Sequence, residues 1–460
     1  MPRLSVKEII GIVNAQTAKA PGPPGDMAAT GYAFDTRKLV AGDLFFALKG
    51  ENRDGHAYVP DACARGAVAA VVEREVSGLP DDFVQIIVPS PLDALQALAT
   101  DVRQRFKIPV VAISGSNGKT TTKDMLAVIL AGSMRVRKSP GNFNNHIGVP
   151  LSILALEETD EVLVVEIGSN HRGEIARLCR IAMPVVGVVT NVGCAHIGHF
   201  GSVEAIAQEK TDILRGLAPG GRGVINADDM LIRSAVRDIE ADLIGFGTSS
   251  EAEFRVTDIR QAGTGISFII KDVPVALGVL GIHNAYNAAA AVASASIFGV
   301  DPPEAAARLA SFQPVRMKMT AHEGLTLIDD SYNANPDSVD AALTAACALE
   351  NPRKIFVMGE MLELGGDAER FHRKIGSRVA ALGIDIFVGI GGFTKAAVEA
   401  ARSSGMKPDR AVFFDQKSQA KEHLRQTLKA GDLVLVKGSR MAGLDEISEY
   451  LRREAVKGRT

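Results

Sequence analysis

Val110-Val-Ala-Ile-Ser-Gly-Ser-Asn-Gly-Lys-Thr-Thr-Thr122 decides how this chain is read. The apolar run Val110 to Ile113 predicts a buried strand, Gly115 to Gly118 a turn, and Thr120 to Leu130 a helix. Strand, glycine turn and helix in that order aim several backbone N–H groups and a helix N-terminus at one anion. Gly115 and Gly118 let the backbone of the loop, with Ser116 and Asn117 between them, approach a phosphate closely. Lys119 can reach β- and γ-phosphates, and the hydroxyl of Thr120, followed by Thr121, is placed to hold Mg²⁺. The usual loop of this kind has a further glycine where this chain has Ile113, so the motif is a shorter Gly-x-x-Gly-Lys-Thr variant.

Working outward, residues 107–313 carry the signature of a parallel sheet. Apolar runs at Val110–Ile113, Val162–Val165, Val185–Val189 and Gly223–Ile225 alternate with helical stretches. Ligands of such sheets sit at the carboxyl ends of the strands. Glu166 ends one run, a suitable place for a carboxylate that holds Mg²⁺. Thr190-Asn191 ends the next, and His196 follows in its loop. Each alone reads equally as a satisfied structural group; beside the phosphate loop they read as one site.

Lys210 stands on the apolar stripe of a helix expected over Ser202 to Leu217, between Ile206 and Ile213. Two ordinary explanations are open: the stem packs while the ammonium reaches water, or the ammonium pairs with a carboxylate. The third is a neutral amine that takes up CO₂ as a carbamate and joins a metal site. Gly281-Ile-His-Asn-Ala-Tyr-Asn287 opens an alanine-rich helix, with Asn284 and Asn287 on one face. That spacing could present an amide to an adenine edge, or simply cap the helix.

Upstream, residues 1–106 mix short strands and helices, with a loop at Pro21-Gly-Pro-Pro-Gly25, a strand at Gly42–Leu48 and a joining helix over Leu92 to Phe106. Arg37 in Phe34-Asp-Thr-Arg37 suits a phosphate, but this segment alone favours a surface salt bridge. Downstream, residues 314–460 begin just after Gln313. Strands at Leu325–Ile328, Ile355–Val357, Ile386–Val388, Val412–Phe414 and Leu433–Val436 alternate with helices near 338–349, 369–382, 393–404, 417–429 and 443–455, a doubly wound α/β domain.

Bulk properties narrow the function class. Hydrophobic residues make up 46% and charged residues 23%, an ordinary globular composition, and 460 residues suffice for two to four domains. A net charge of −3 argues against a nucleic-acid partner. No apolar run reaches the ~18 residues of a membrane span, and Met-Pro-Arg-Leu-Ser lacks a signal peptide's apolar segment. Cys63, Cys179, Cys194 and Cys347 have no C-x-x-C spacing, so neither zinc nor a disulfide frame is implied. A cytoplasmic protein of a reducing compartment is expected.

These blocks in this order resemble the Mur ligase family, the ATP-dependent ligases that build the peptide of peptidoglycan precursors. The resemblance covers nearly the whole chain. It implies three α/β domains: an N-terminal mixed UDP-sugar domain (1–106), a central P-loop ATPase domain with a parallel sheet (107–313), and a C-terminal Rossmann-like domain (314–460). By it, Gly115-Ser-Asn-Gly-Lys-Thr120 is the ATP loop, with Lys119 on the phosphates and Thr120 on Mg²⁺. Glu166 is then the magnesium carboxylate, His196 the histidine at a second ion, and Lys210 the carbamylated lysine. Asn287 would contact adenine, and Arg316 and Asp330 would touch phosphate and ribose as domains close. Phe34-Asp-Thr-Arg37 and Asp54-Gly-His56 resemble the UDP-sugar domain, placing Thr36, Arg37, Asp54 and His56 at the substrate. Thr36 stands where serine is commoner, and the hydroxyl is kept.

Gly141-Asn-Phe-Asn-Asn-His-Ile-Gly-Val-Pro150, Asp330-Ser-Tyr-Asn-Ala-Asn-Pro336 and Gly359-Glu-Met-Leu-Glu-Leu-Gly365 are most like the branch that adds D-alanyl-D-alanine. The implied substrates are ATP, UDP-MurNAc-tripeptide and D-Ala-D-Ala, with two Mg²⁺ ions and a monomeric enzyme. The nearest rival is another ligase of the superfamily, one adding the tripeptide's third residue or a folylpolyglutamate synthase. A nucleotide-switch protein is a rival of another class, but the chain has no Asn-Lys-x-Asp motif for guanine, and a switch does not explain the third α/β domain.

Overall fold

The computed structural model describes residues 3–15, 17–19, 27–50, 53–314, 317–322 and 324–453. Three large sheets organise it, one for each part of the chain. The central sheet has nine strands, in the order Val136–Lys138, Val162–Glu166, Val110–Ser114, Val186–Val189, Arg222–Asn226, Asp242–Gly247, Phe254–Ala262, Gly265–Ile270, Val273–Leu277. Pairing is parallel as far as Phe254–Ala262 and antiparallel beyond it.

Every residue of Val110–Ser114 and Val162–Glu166 is buried, because helices cover both faces. Odd and even positions divide between two cores. Val110, Ala112, Leu163 and Val165 pack with Val149, Ile175 and Ile213. Val111, Ile113, Val162 and Val164 pack with Met125, Leu126 and the alanines of His283–Ser296. Small alanine side chains let that helix lie close against Lys119–Leu130.

The four expected central strands are present, and five more accompany them. Asp242-Leu-Ile-Gly-Phe-Gly247 is broken by glycines, and Phe254–Ala262 alternates buried with exposed residues because the sheet continues there beyond its double cover. Neither gives the continuous apolar run that marks a two-sided parallel strand.

The N-terminal sheet runs Thr17–Lys19, Val84–Ile87, Ala69–Val72, Asp43–Phe46, Gly31–Ala33. Pro21-Gly-Pro-Pro-Gly25 lies outside the described residues. The joining helix is Pro91–Arg105, started by Ser90, whose Oγ accepts the Asp93 N–H at 3.1 Å. Its Leu95, Leu98, Ala99 and Val102 enter a core that also contains central residues. Arg103 donates to the Ala182 carbonyl at 2.7 Å, and Gln96 to the His146 carbonyl at 2.9 Å. The N-terminal part therefore sits on the central one through continuous packing.

The C-terminal sheet runs Lys318–His322, Leu325–Asp330, Asp432–Lys437, Arg353–Gly359, Ile386–Ile390, Ala411–Phe414. All five expected strands pair in parallel, and Lys318–His322 adds an unexpected antiparallel edge. Helices Pro336–Cys347 and Ala368–Ala381 cover one face, Lys417–Thr427 and Asp445–Arg453 the other. Among the described residues no helix is long and apolar enough to cross a membrane, and the four cysteines are unbridged.

Candidate active site

The phosphate loop is held on both sides by neighbours that only glycine tolerates. Gly115 has φ +138°, and a Cβ there would stand 2.0 Å from Thr190 Oγ1. Gly118 has φ +82°, and its Cβ would stand 2.2 Å from Asn287 Oδ1. Between them, Asn191 accepts the Ser116 N–H on its carbonyl (2.9 Å) and the Asn117 N–H on Oδ1 (2.9 Å). The Asn117 carbonyl accepts from Thr190 Oγ1 (2.6 Å) and Asn191 Nδ2 (3.1 Å). Helix Lys119–Leu130 starts without a side-chain cap, so the amides of its first turn, Lys119 to Thr121, are oriented for an anion. Lys119 Nζ donates to the Gly115 carbonyl at 2.8 Å and lies against that of Ser116 at 3.4 Å.

The two oxygen groups expected at a cation meet. Thr120 Oγ1 donates to Glu166 Oε2 at 2.7 Å, and Asn144 Nδ2 donates to Glu166 Oε1 at 2.7 Å. Glu166 is 1% exposed, and these side-chain partners are neutral. A buried carboxylate beside a hydroxyl is a hard oxygen pair of the kind that Mg²⁺ takes from protein while phosphates and water complete its shell. Among the described residues no group of three His, Cys, Asp or Glu side chains could hold a metal alone. The residues present therefore fit Mg²⁺ shared with a substrate, rather than an all-protein cage.

Lys210 is 1% exposed, and it follows neither ordinary explanation. Its Nζ donates to Ser169 Oγ at 2.9 Å and lies 3.3 Å from the Ser169 carbonyl, with no carboxylate in ion-pair reach among the described residues. The Phe200 ring lies 5.7 Å away. Burial, then the nearby charge of Lys119, push its pKa down to about 7.

His196 caps the short helix Ile197–Phe200 with φ +59°. Its Nδ1 lies 2.5 Å from Glu363 Oε2 of the C-terminal domain, and the imidazole holds the Glu363 carboxyl below its ordinary range. That domain reaches the phosphate loop as well. Asn335 Nδ2 donates to Asn117 Oδ1 at 2.8 Å, and Asp337 Oδ2 accepts the Cys194 N–H at 3.0 Å. Asp330 pairs with Lys437 at 2.5 Å. Arg316 lies outside the described residues. Asn287 shares its amide with Asn284 (2.8 Å) and lies 3.4 Å from Thr122 Oγ1, behind Gly118.

The four N-terminal residues follow the carboxyl ends of strands Gly31–Ala33 and Asp43–Phe46. Arg37 pairs with Asp35 at 2.9 and 2.7 Å, the salt bridge its segment favoured. Thr36 is buried and bonds the Asp61 carboxyl. His56, 4% exposed, bonds Asp54 through Nδ1 at 2.6 Å and accepts the Glu73 N–H on Nε2 at 2.9 Å. Both ring nitrogens are used, as in a structural histidine. A cavity of about 200 Å³ beside Tyr32, Asp35 and Lys38 faces Pro140 and Phe143 of the central domain. Asn144, Ser169, Asn335 and Glu363 were not singled out from sequence; three of them fall inside the asparagine- and glutamate-bearing blocks quoted above.

Comparison with known proteins covers the same ground. Residues 29–103 match the Mur ligase family catalytic domain, 113–295 the Mur ligase middle domain, and 315–440 the Mur ligase glutamate ligase domain. The UDP-N-acetylmuramoyl-tripeptide–D-alanyl-D-alanine ligase of Bacillus subtilis is 37% identical, covering 92% of this chain and 93% of its own. The ligase of that name from Escherichia coli is 33% identical over 98% and 99%. A crystal structure of MurF from Acinetobacter baumannii superposes with a TM-score of 0.88 at 29% identity, over 99% of this chain and 100% of that one. MurF ligase of Thermotoga maritima in complex with ADP gives 0.79 at 29% identity, over 93% and 98%.

Proposed function

This chain belongs to the Mur ligase family, and we infer that it is an ATP-dependent ligase joining D-alanyl-D-alanine to UDP-N-acetylmuramoyl-tripeptide. The product is the UDP-MurNAc-pentapeptide of peptidoglycan synthesis. The observation that carries this reading is similarity along the whole chain to ligases of that one name, across all three sheets. The rival ligases of the superfamily are not favoured by it.

In the reaction, a carboxylate oxygen of the tripeptide attacks the γ-phosphorus of ATP and ADP leaves. The dipeptide amine then attacks the acyl carbon, phosphate leaves, and the amine gives up a proton. Lys119 and the amides of Gly115, Gly118, Thr120 and Thr121 are the groups we assign to the phosphates, with Ser116 and Asn117 shaping the loop through their bonds to Asn191. Thr120 and Glu166 would hold Mg²⁺, and His196 with carbamylated Lys210 a second ion. The metal supplies charge stabilisation on the transferring phosphoryl group. Asn287, Arg316 and Asp330 are assigned to the nucleoside side. We assign Thr36, Arg37 and Asp54 to the UDP-sugar side, with His56 orienting Asp54, and a cavity lined by Tyr32, Asp35 and Lys38 lies in the same domain. We place domain limits at 106/107 and 313/314, and a monomer working in the cytoplasm.

One assay tests the whole reading: ADP release with UDP-MurNAc-tripeptide, with and without D-Ala-D-Ala. Release and pentapeptide formation are expected only when both are present. Equal release without any acceptor would sink it.

A further inference from the structure

We propose that Glu363, on the C-terminal domain, is a positioning residue for His196, so that the central site is completed only when the C-terminal domain is docked. The inference rests on the assignment of His196 to the reaction. Three independent features bring the pair together. Both residues hold left-handed backbone, φ +59° at His196 and +64° at Glu363, a conformation that costs non-glycine residues energy and persists where surroundings enforce it. The Glu363 carbonyl accepts the Gly198 N–H at 3.1 Å, tying the two loops by backbone next to the side-chain pair. Gly198 and Gly365 permit this approach: a Cβ on Gly198 would stand 2.6 Å from Gly365 N.

An imidazole whose Nδ1 faces a carboxylate is fixed in orientation and tautomer, with the proton on Nδ1 and the Nε2 lone pair left for another partner. Nδ1 of His196 is shielded from solvent and meets the Glu363 carboxylate at 2.5 Å outside the alignment of a hydrogen bond, so the contact in this structure is ionic. The carboxylate comes from a different sheet than the histidine. Undocking the domain therefore releases the ring, and a nucleotide bound to the central domain alone meets an unaligned His196.

The test compares Glu363→Gln, Glu363→Asp and His196→Ala in the full-length chain. At saturating substrates, Glu363→Gln should lower kcat roughly 10–100-fold, the usual cost of losing a partner of this kind, with KM values near those of the unaltered enzyme. Glu363→Asp keeps the charge and should recover part of kcat. Nitrogen-15 spectra of histidine-labelled protein should show one ring whose Nδ1 protonation is lost in Glu363→Gln and whose signals vanish in His196→Ala. X-ray scattering with an ATP analogue should show the same compaction for Glu363→Gln as for the unaltered chain. An inactive His196→Ala beside a fully active Glu363→Gln would overturn the inference while leaving the role of His196 intact. A defect confined to KM, or lost compaction, would mean that Glu363 only holds the domains together, and also overturns it. Normal turnover in His196→Ala removes the assigned role of His196, and this inference with it.

Discussion

Thr120 Oγ1 donates a 2.7 Å hydrogen bond to Glu166 Oε2, joining the first turn of the phosphate-loop helix to the end of the neighbouring strand. The two oxygens are held together by main-chain geometry, since Val110–Ser114 and Val162–Glu166 pair in register with Glu166 opposite Ile113. Asn144 fixes the other carboxylate oxygen at 2.7 Å. If Glu166 holds Mg²⁺ as assigned, Glu166→Ala should lose more turnover than Asn144→Ala, which should lose about 10–100-fold as the residue that orients the carboxylate. Titrating Mg²⁺ against initial rate checks the order. Glu166→Ala reaching full rate at saturating Mg²⁺ would contradict its assignment.

The central fold and this pair were legible in the sequence because two-sided burial leaves a continuous apolar run, and the residue that ends it must be polar for a reason. Glu166 after Val162-Leu-Val-Val165 is such a residue. Lys210 was legible too: an ammonium on an apolar helical stripe is an anomaly that periodicity exposes. Glu363 and Asn335 were not, since each acts on a residue of another sheet and neither interrupts a local pattern. His56 looked like a ligand residue by resemblance, while its two satisfied nitrogens are visible only in three dimensions.

Lys210 should carry CO₂-dependent activity. For a carbamate to form, its amine would attack CO₂ and release a proton, so the neutral form would be required. An ordinary lysine, with a pKa of 10.5, would be almost wholly charged at pH 8, whereas burial brings the pKa of Lys210 down to about 7. Carbamylation should thus rise as pH climbs through about 7, and activity in CO₂-stripped buffer should recover on adding bicarbonate. Lys210→Ala should be nearly inactive and partly rescued by short carboxylic acids. A Lys210→Arg variant with full activity would show that a positive charge suffices. The same shift has a stability consequence. The unfolded chain binds the extra proton between pH about 7 and 10.5, so this lysine's contribution to stability increases with pH across that window.

Arg37 and His56 should separate cleanly. Arg37 is exposed and its guanidinium bonds its neighbour Asp35, so Arg37→Ala should leave the melting temperature unchanged. If it borders the UDP-sugar, calorimetry should show weaker binding of UDP-MurNAc-tripeptide. His56→Ala strands the Glu73 N–H and removes a neighbour of Asp54, which should cost about 1–3 kcal/mol of stability. Chemical denaturation measures that loss. Unchanged stability in His56→Ala would refute the structural role.

Asn335 serves two masters, and one substitution can divide them. Its Oδ1 accepts the Ser338 N–H at 2.9 Å and caps helix Pro336–Cys347, while its Nδ2 donates to Asn117 Oδ1 at 2.8 Å across the domains. Asn117 is itself fixed by Asn191, so the C-terminal domain docks on the same loop that we assign to the phosphates. Asn335→Asp keeps an excellent cap but turns a carboxylate oxygen toward Asn117 Oδ1. Oxygen facing oxygen is repulsive, and the donor that closed the contact is gone. Asn335→Asp should therefore melt like the unaltered chain, yet raise the KM for ATP and show less compaction by X-ray scattering with an ATP analogue. Asn335→Ala removes the cap as well and should be less stable by about 1 kcal/mol, with a similar docking defect. Scattering profiles and KM values in Asn335→Asp that match the unaltered enzyme would show that this contact does not govern closure, and would shift that role to the other contacts between the domains, Asp337 on the Cys194 N–H and Glu363 on His196 and Gly198.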